Sequence, residues 1–401
     1  MGDRMPKADQ LEMESSFYIQ YEKKKMKECA YTLHNLASTF QIEEKETEEK
    51  DRHQLFLKKR LKENRILIAD HLKEVAEIIE KAVEEKISFV RFSEKKEKQL
   101  AKLLLFEGII LEDISLIEKG NGRKEALVRL LQKKLPGKRN YYTVEDIGEF
   151  LSVYLGKRWI PAVNSPFFLT GEPQNFSFVE EIEYTVLTGY AKITKEGEKI
   201  SGDNYAFFES SEKKFYGVLS DGMGSGEKAN EDSGVVLEIA ERFLEGGFTT
   251  NLTAKMINDL LLARGDGKNM STLDICEIDL YTAKAEFLKV GATYSFIKRD
   301  GYVEKIPSIS LPLGVFHELE MNQHTKQLLD KDYIFMFSDG ILDHFPGEEG
   351  EKLLQEMIAS IPYKRPHEMA AHLMKLAISA SGGSIKDDTT ILVMGIWENK
   401  V

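Results

Sequence analysis

Three aspartates in this chain share one local grammar, each standing where an apolar run meets small or turn-forming residues. The runs are Phe215-Tyr-Gly-Val-Leu-Ser-Asp221-Gly-Met-Gly, Tyr333-Ile-Phe-Met-Phe-Ser-Asp339-Gly and Lys386-Asp387-Asp388-Thr-Thr-Ile-Leu-Val. The apolar stretches read as buried strands, so each carboxylate is set at the rim of a rigid element. A single Asp-Gly is a turn, because Asp bonds its own backbone and Gly accepts positive φ. Three in this order argue for chemistry. Carboxylates gathered in one place repel one another unless hard cations such as Mg²⁺ or Mn²⁺, which prefer oxygen ligands, are shared among them. The pattern predicts a two-metal carboxylate site.

Other readings of the chemistry-bearing residues are weaker. Asp221-Gly-Met-Gly-Ser-Gly226 could cradle phosphate as a glycine loop between strand and helix. Its glycines are spaced Gly-x-Gly-x-Gly, however, no Walker lysine and threonine follow, and Asp339 and Asp387 would be left idle. His317, His324, His344, His367 and His372 show no metal-ligand spacing, and Trp159 and Trp397 read as packing residues. Cys29 and Cys276 are the only cysteines, with no CxxC or Cys/His grouping, so neither a disulfide framework nor a zinc site is indicated and the compartment reads as cytoplasmic.

The elements that must hold the aspartates follow from length and patterning. A chain of 401 residues, 42% hydrophobic, suggests two or three domains. Its net charge of -12 argues against nucleic acid, which needs a clustered basic surface. No window approaches a membrane span, and the start lacks the order of a signal peptide. Residues 1–87 read as a helical hairpin or a dimerising coiled coil. Its seams are Met26, Cys29, Leu33, Leu36, Phe40 and Ile68, Leu72, Val75, Ile79, Ala82, joined by the polar stretch Glu43 to Arg52. Residues 88–177 read as a small α/β domain, with short apolar runs Gly108 to Leu111 and Ile114 to Ile117 and helical segments Arg123 to Lys134 and Thr143 to Leu155. Pro161, Pro166 and Pro173 punctuate a boundary. Residues 178–401 then open on strands and read as an antiparallel sandwich, covered by helices at Glu227 to Glu245, Leu252 to Ala263, Glu349 to Ser360 and Glu368 to Ser379.

A resemblance now becomes specific. Ser201-Gly-Asp-Asn-Tyr205, Ser220-Asp-Gly-Met-Gly-Ser-Gly226, Ser271-Thr-Leu-Asp274, Val290-Gly-Ala-Thr-Tyr-Ser-Phe-Ile-Lys298, Leu311-Pro-Leu-Gly314, Ser338-Asp-Gly340 and Asp387-Asp-x-Thr390 resemble the phosphatase domain of the stage II sporulation protein E family. The resemblance runs from about Thr188 to Ile396. That family belongs to the metal-dependent type 2C serine/threonine phosphatases. It implies an α+β fold in which a β-sandwich is flanked by helices (αββα), preceded here by the helical segment and the small α/β regulatory domain. It also implies two Mn²⁺ or Mg²⁺ ions that activate a water and neutralise phosphoryl oxygens. By the family pattern Asp221 bridges both ions, the Gly222 carbonyl adds a ligand, Asp339 and Asp387 complete the set, and Asp203 orients waters or serves a further, weaker site. Asp388 is expected to support the ligands or cap a turn.

The chain departs from the eukaryotic type 2C pattern in two places. Met223 stands where many relatives carry a proposed proton-donating histidine, and a thioether cannot donate. No arginine precedes Asp203 to clamp phosphate, leaving Lys192, Lys195 or Lys199 to substitute or to serve only solubility. The family's multi-helix membrane segment is missing, so membrane association would need a segment or partner outside this chain. The implied substrate is a phosphorylated anti-anti-sigma protein, whose dephosphorylation activates a sporulation sigma factor, and the helical segment suggests a homodimer. Alternatives are a general stress-response phosphatase acting on a related anti-anti-sigma protein, or a non-catalytic scaffold with a vestigial metal site.

Overall fold

The computed structural model describes residues 23–24, 26–39, 52–84, 88–90, 94–118, 123–139, 141–162, 165–210, 212–264, 270–316, 318–362 and 365–399. Phe40, His317 and nearly all of the stretch Glu43 to Arg52 lie outside the described residues. The chain divides into two compact units, Met1–Glu181 and Ile182–Val401. Among the described residues, no helix is long and apolar enough to cross a membrane.

The first unit opens with helix α1, residues 26–39, and helix α2, Arg52–Glu84. His34 of α1 reaches Glu80 of α2 at 3.6 Å, which sets the helices side by side at that level. Among the described residues, the buried positions are Ala30 and Ala37 on α1 and Ala69, Ala76 and Val83 on α2, spaced by heptads. The fully covered positions lie one residue on from the expected seam, of which Met26, Leu36 and Ile68 are exposed and Leu33, Leu72, Val75 and Ile79 are half-buried. Small side chains there permit close approach of helix backbones, and this outweighs the larger apolar residues beside them.

Strand β1 (Ser88–Val90), helix α3 (Glu94–Phe106), strands β2 (Ile109–Glu118) and β3 (Lys124–Gln132), helix α4 (Val144–Leu155), and strands β4 (Trp159–Pro161) and β5 (Gln174–Glu180) complete this unit. The strands form one antiparallel sheet in the order β1-β2-β3-β5-β4. The stretch Arg123 to Lys134, expected to be helical, is strand β3. Its Ala126, Val128 and Leu130 alternate into the core, so pairing with β2 and β5 overrides a helix-favouring composition. The two short apolar runs before it are one strand, β2, broken in register between Leu111 and Asp113. β5 crosses residue 177, where the sequence suggested a boundary, and belongs to this sheet.

The second unit contains strands β6 (Tyr184–Ile193), β7 (Asp203–Glu209) and β8 (Lys214–Asp221), then helices α5 (Gly226–Glu245) and α6 (Thr250–Arg264). Strands β9 (Leu273–Asp279), β10 (Lys284–Val290), β11 (Ser295–Arg299), β12 (Tyr302–Ile306), β13 (Asn322–Gln327) and β14 (Tyr333–Phe337) follow. Helices α7 (Ile341–His344), α8 (Gly347–Ser360) and α9 (Pro366–Ala380) lead to the last strand, β15 (Thr389–Glu398). Two antiparallel sheets result, β13-β10-β9-β8-β7 and β12-β11-β14-β15-β6. Strand alternation assigns three cores. Leu219, Ile278, Phe287, Ile334, Met336, Leu392 and Met394 pack between the sheets. Val218, Ile275 and Leu288 face Val236 and Ala240 of α5 and Ile257 of α6. Phe335, Phe337 and Val393 face Leu354 of α8 and Leu373 of α9. The architecture is the expected four-layer αββα sandwich. β12 and β13 were not read from the sequence: β12 follows the hairpin turn Asp300-Gly301, a signal that was present, whereas β13 is a polar edge strand.

Candidate active site

Antiparallel pairing brings the aspartates to one end of the sandwich. Asp203 opens β7 directly opposite Asp221, which closes β8. In the facing sheet β14 ends at Phe337, two residues before Asp339, and pairs with β15, which begins just after Asp387 and Asp388. The two sheets are joined at this end by Thr390 of β15, whose hydroxyl donates to Asp203 Oδ2 at 2.6 Å. Ser338 Oγ in turn accepts the Thr390 N–H at 2.8 Å, so the segment before Asp339 is locked to β15.

Asp221 is held from the backbone outward. Its N–H donates to Thr272 Oγ1 at 2.9 Å, and its carbonyl accepts from Thr272 N at 2.8 Å and Ser271 Oγ at 2.7 Å. Ser220 Oγ donates to the Thr272 carbonyl at 2.8 Å. Gly222 lies against the first turns of α5: a Cβ there would stand 2.0 Å from the Ala229 carbonyl oxygen, so no larger residue fits. Gly340 is constrained in the same way, with the Asp388 carbonyl oxygen 2.0 Å from where its Cβ would be.

Asp388 does not face the cluster as a free carboxylate. Its two oxygens accept the N–H groups of Lys195, at 2.8 Å, and Gly202, at 2.6 Å, so one buried side chain staples both ends of the loop that leads into Asp203. Of the candidate lysines, Lys192 turns to the Asp203 carbonyl at 2.6 Å. The Lys195 ammonium stands 3.8 Å from Asp387 Oδ1. Lys199 is exposed. Met223 is 45% exposed beside Gly222 and offers no proton.

The electrostatics agree with convergence. Burial, and then the charges of Asp203, Asp339 and Asp387, push the Asp221 carboxyl up to about 10, with Asp339 within hydrogen-bonding reach of it. Burial raises Asp203 to about 6 against the hydroxyls of Thr390 and Ser338, which favour its charged form. Burial likewise raises Asp387. Asp203 Oδ1 is buried and has no hydrogen-bond partner among the described residues. Among the described residues, no three His, Cys, Asp or Glu side chains are drawn into a common ligand shell. The charges of Asp203, Asp339 and Asp387 thus raise the proton affinity of Asp221 without the four closing on a common centre. An all-oxygen, mutually repelling set with an orphaned buried oxygen fits hard divalent cations, which supply the missing positive charge.

The sequence reading placed Asp203, Asp221, Asp339 and Asp387, and all four meet at this end of the sandwich. It gave no role to Thr272, Ser220, Ser271, Ser338 or Thr390, although the quoted motifs contain them. A signal was present, because Ser precedes Asp at both Ser220-Asp221 and Ser338-Asp339, and both hydroxyls bond the neighbouring strand.

The family model "Stage II sporulation protein E (SpoIIE)" matches residues 211–397. Stage II sporulation protein E of Bacillus subtilis (strain 168) is 30% identical over 365 residues, 90% of this chain and 43% of that protein. The namesake from Priestia megaterium is 36% identical over 217 residues, 54% of this chain and 37% of that protein. The chain thus spans less than half the length of these curated relatives. A solved structure of the PP2C phosphatase domain with a fragment of the regulatory domain of SpoIIE from Bacillus subtilis matches with TM-score 0.62 at 27% identity. The match covers 87% of this chain and 98% of that one. The PP2C family is generally metal-dependent.

Proposed function

This chain belongs to the stage II sporulation protein E family, and from that membership we propose that it is a metal-dependent protein serine/threonine phosphatase. Its proposed substrate is a phosphorylated anti-anti-sigma protein, whose dephosphorylation activates a sporulation sigma factor. The observation that carries this reading is that Asp203, Asp221, Asp339 and Asp387, from two sheets, lie on one rim, where burial and the neighbouring carboxylates push the Asp221 carboxyl up.

In this reading Asp221, the Gly222 carbonyl, Asp339 and Asp387 hold two Mn²⁺ or Mg²⁺ ions, with Asp203 adding a weaker contact. Bound there, the ions would activate water and neutralise phosphoryl oxygens. The chain's own residues set the geometry. Thr272 and Ser271 fix the Asp221 backbone, Thr390 orients Asp203, and Asp388 holds the loop before it. Proton donation to the leaving serine oxygen falls to solvent, since Met223 has no proton to give. Helices α1 and α2, with Met26, Leu36 and Ile68 exposed, are the proposed self-association element of a homodimer.

The test is phosphate release from a generic aryl phosphate and from candidate phosphorylated anti-anti-sigma proteins, with and without Mn²⁺. Manganese-dependent turnover of both is expected. No turnover of either would leave a scaffold with a vestigial site.

A further inference from the structure

Two lysines act electrostatically on the carboxylate cluster, Lys192 on Asp203 and Lys195 on Asp387, and the structure separates their roles. The Lys192 ammonium is committed to the Asp203 main-chain carbonyl at 2.6 Å, so it serves the strand. Lys195 is different. Its ammonium is 3.8 Å from Asp387 Oδ1, beyond hydrogen-bond distance, and its side chain remains 38% exposed at the rim. Its backbone, by contrast, is fixed. The N–H is held by buried Asp388, Glu196 N donates to the Ile385 carbonyl at 3.1 Å, and the Lys195 carbonyl accepts Glu198 N at 3.1 Å. The result is a part-exposed cation on a hydrogen-bonded backbone, beside a carboxylate whose charge would be taken up if the site held cations.

We infer that Lys195 is the residue that grips the substrate's phosphate in this site. The inference rests on the phosphatase reading above. A phosphate monoester dianion seated at the cluster presents oxygens that an ammonium with three donors can meet as a point charge. Neutralising Asp387 removes the competitor for that ammonium. Asp388 then acts as a positioning residue, because it sets where the Lys195 stalk begins.

The experiment measures inorganic phosphate binding to the Mn²⁺-loaded full chain by calorimetry, beside steady-state hydrolysis of an aryl phosphate. The variants are Lys195→Ala, Lys195→Arg and, as a charge control in the same loop, Lys199→Ala. Lys195→Ala should weaken phosphate binding and raise KM by about tenfold, with a smaller effect on kcat, while Lys195→Arg stays within about threefold of wild type. Lys199→Ala should bind phosphate as wild type does, and the thermal midpoint of Lys195→Ala should not move. Wild-type phosphate affinity in Lys195→Ala, or an equal loss in Lys199→Ala, overturns the assignment. So does lost binding that Lys195→Arg fails to restore, or a wild-type protein that binds no phosphate. Phosphate binding that depends on Lys195 in a protein that hydrolyses no phosphomonoester would uphold the grip and sink the phosphatase reading.

Discussion

Asp221 pulls stability and function in opposite directions. Burial and three neighbouring carboxylates raise its proton affinity, so in the metal-free protein it is a source of strain. Asp221→Asn should therefore raise the thermal midpoint of the chelated protein while abolishing the further rise that Mn²⁺ gives the wild type; calorimetric melts with chelator and with Mn²⁺ read both. Asp339→Ala is expected to abolish hydrolysis and leave the fold intact, because Asp339 lies beyond the end of β14 and opens no core. Retention of more than about a tenth of wild-type turnover at saturating Mn²⁺ would count against a two-metal role for this set. Thr272→Val keeps the shape but takes the acceptor from the Asp221 N–H. An unsatisfied buried donor costs about 1–3 kcal/mol, so denaturant unfolding should show a loss of that order together with weaker Mn²⁺ binding.

Each element's contribution shows in how its ends are tied. Helix α8 terminates on Lys298, a buried residue of β11 whose ammonium donates to the carbonyls of Ile358 at 2.9 Å, Ala359 at 3.1 Å and Ile361. The charge meets the negative end of the helix, at its last carbonyls. Lys298→Met should cost about 2 kcal/mol without altering metal affinity, measured by urea unfolding and manganese titration. Helix α9 packs so closely on β6 that a Cβ at Gly189 would stand 2.0 Å from His367 N. Gly189→Ala must push helix and strand apart, at a cost of about 1–3 kcal/mol or more. Strand β3 shows the limit of local reading. Its Lys, Glu, Ala and Leu favour a helix, yet the period-two burial of Ala126, Val128 and Leu130 exists only because β2 and β5 flank it.

For the whole molecule, residues 182–401 hold three cores of their own, one between the sheets and one under each helical layer. Expressed alone, this unit should unfold in a single cooperative thermal transition; a broad, non-cooperative melt would show that the division at 181 is not a folding boundary. At the scale of the whole chain, the sequence by itself determined the strand that ends in Asp221, the strand that stops just before Asp339, the strand that begins after Asp387, the helices that cover the sandwich, and the family. Those signals are local, since a buried strand must be apolar and a turn beside a carboxylate needs Gly or Ser, whatever the rest of the chain does. Only the tertiary structure decided that β7 and β8 pair with Asp203 opposite Asp221, that Asp388 serves the loop before Asp203 and not the cluster, and that Lys192 is spent while Lys195 stays at the rim. It also centred the buried face of α1 and α2 on Ala30, Ala37, Ala69, Ala76 and Val83, one residue on from the larger apolar residues beside them. These outcomes depend on pairings between residues up to 193 positions apart, and which partner a carboxylate, an ammonium or a helix face meets is set by register and packing.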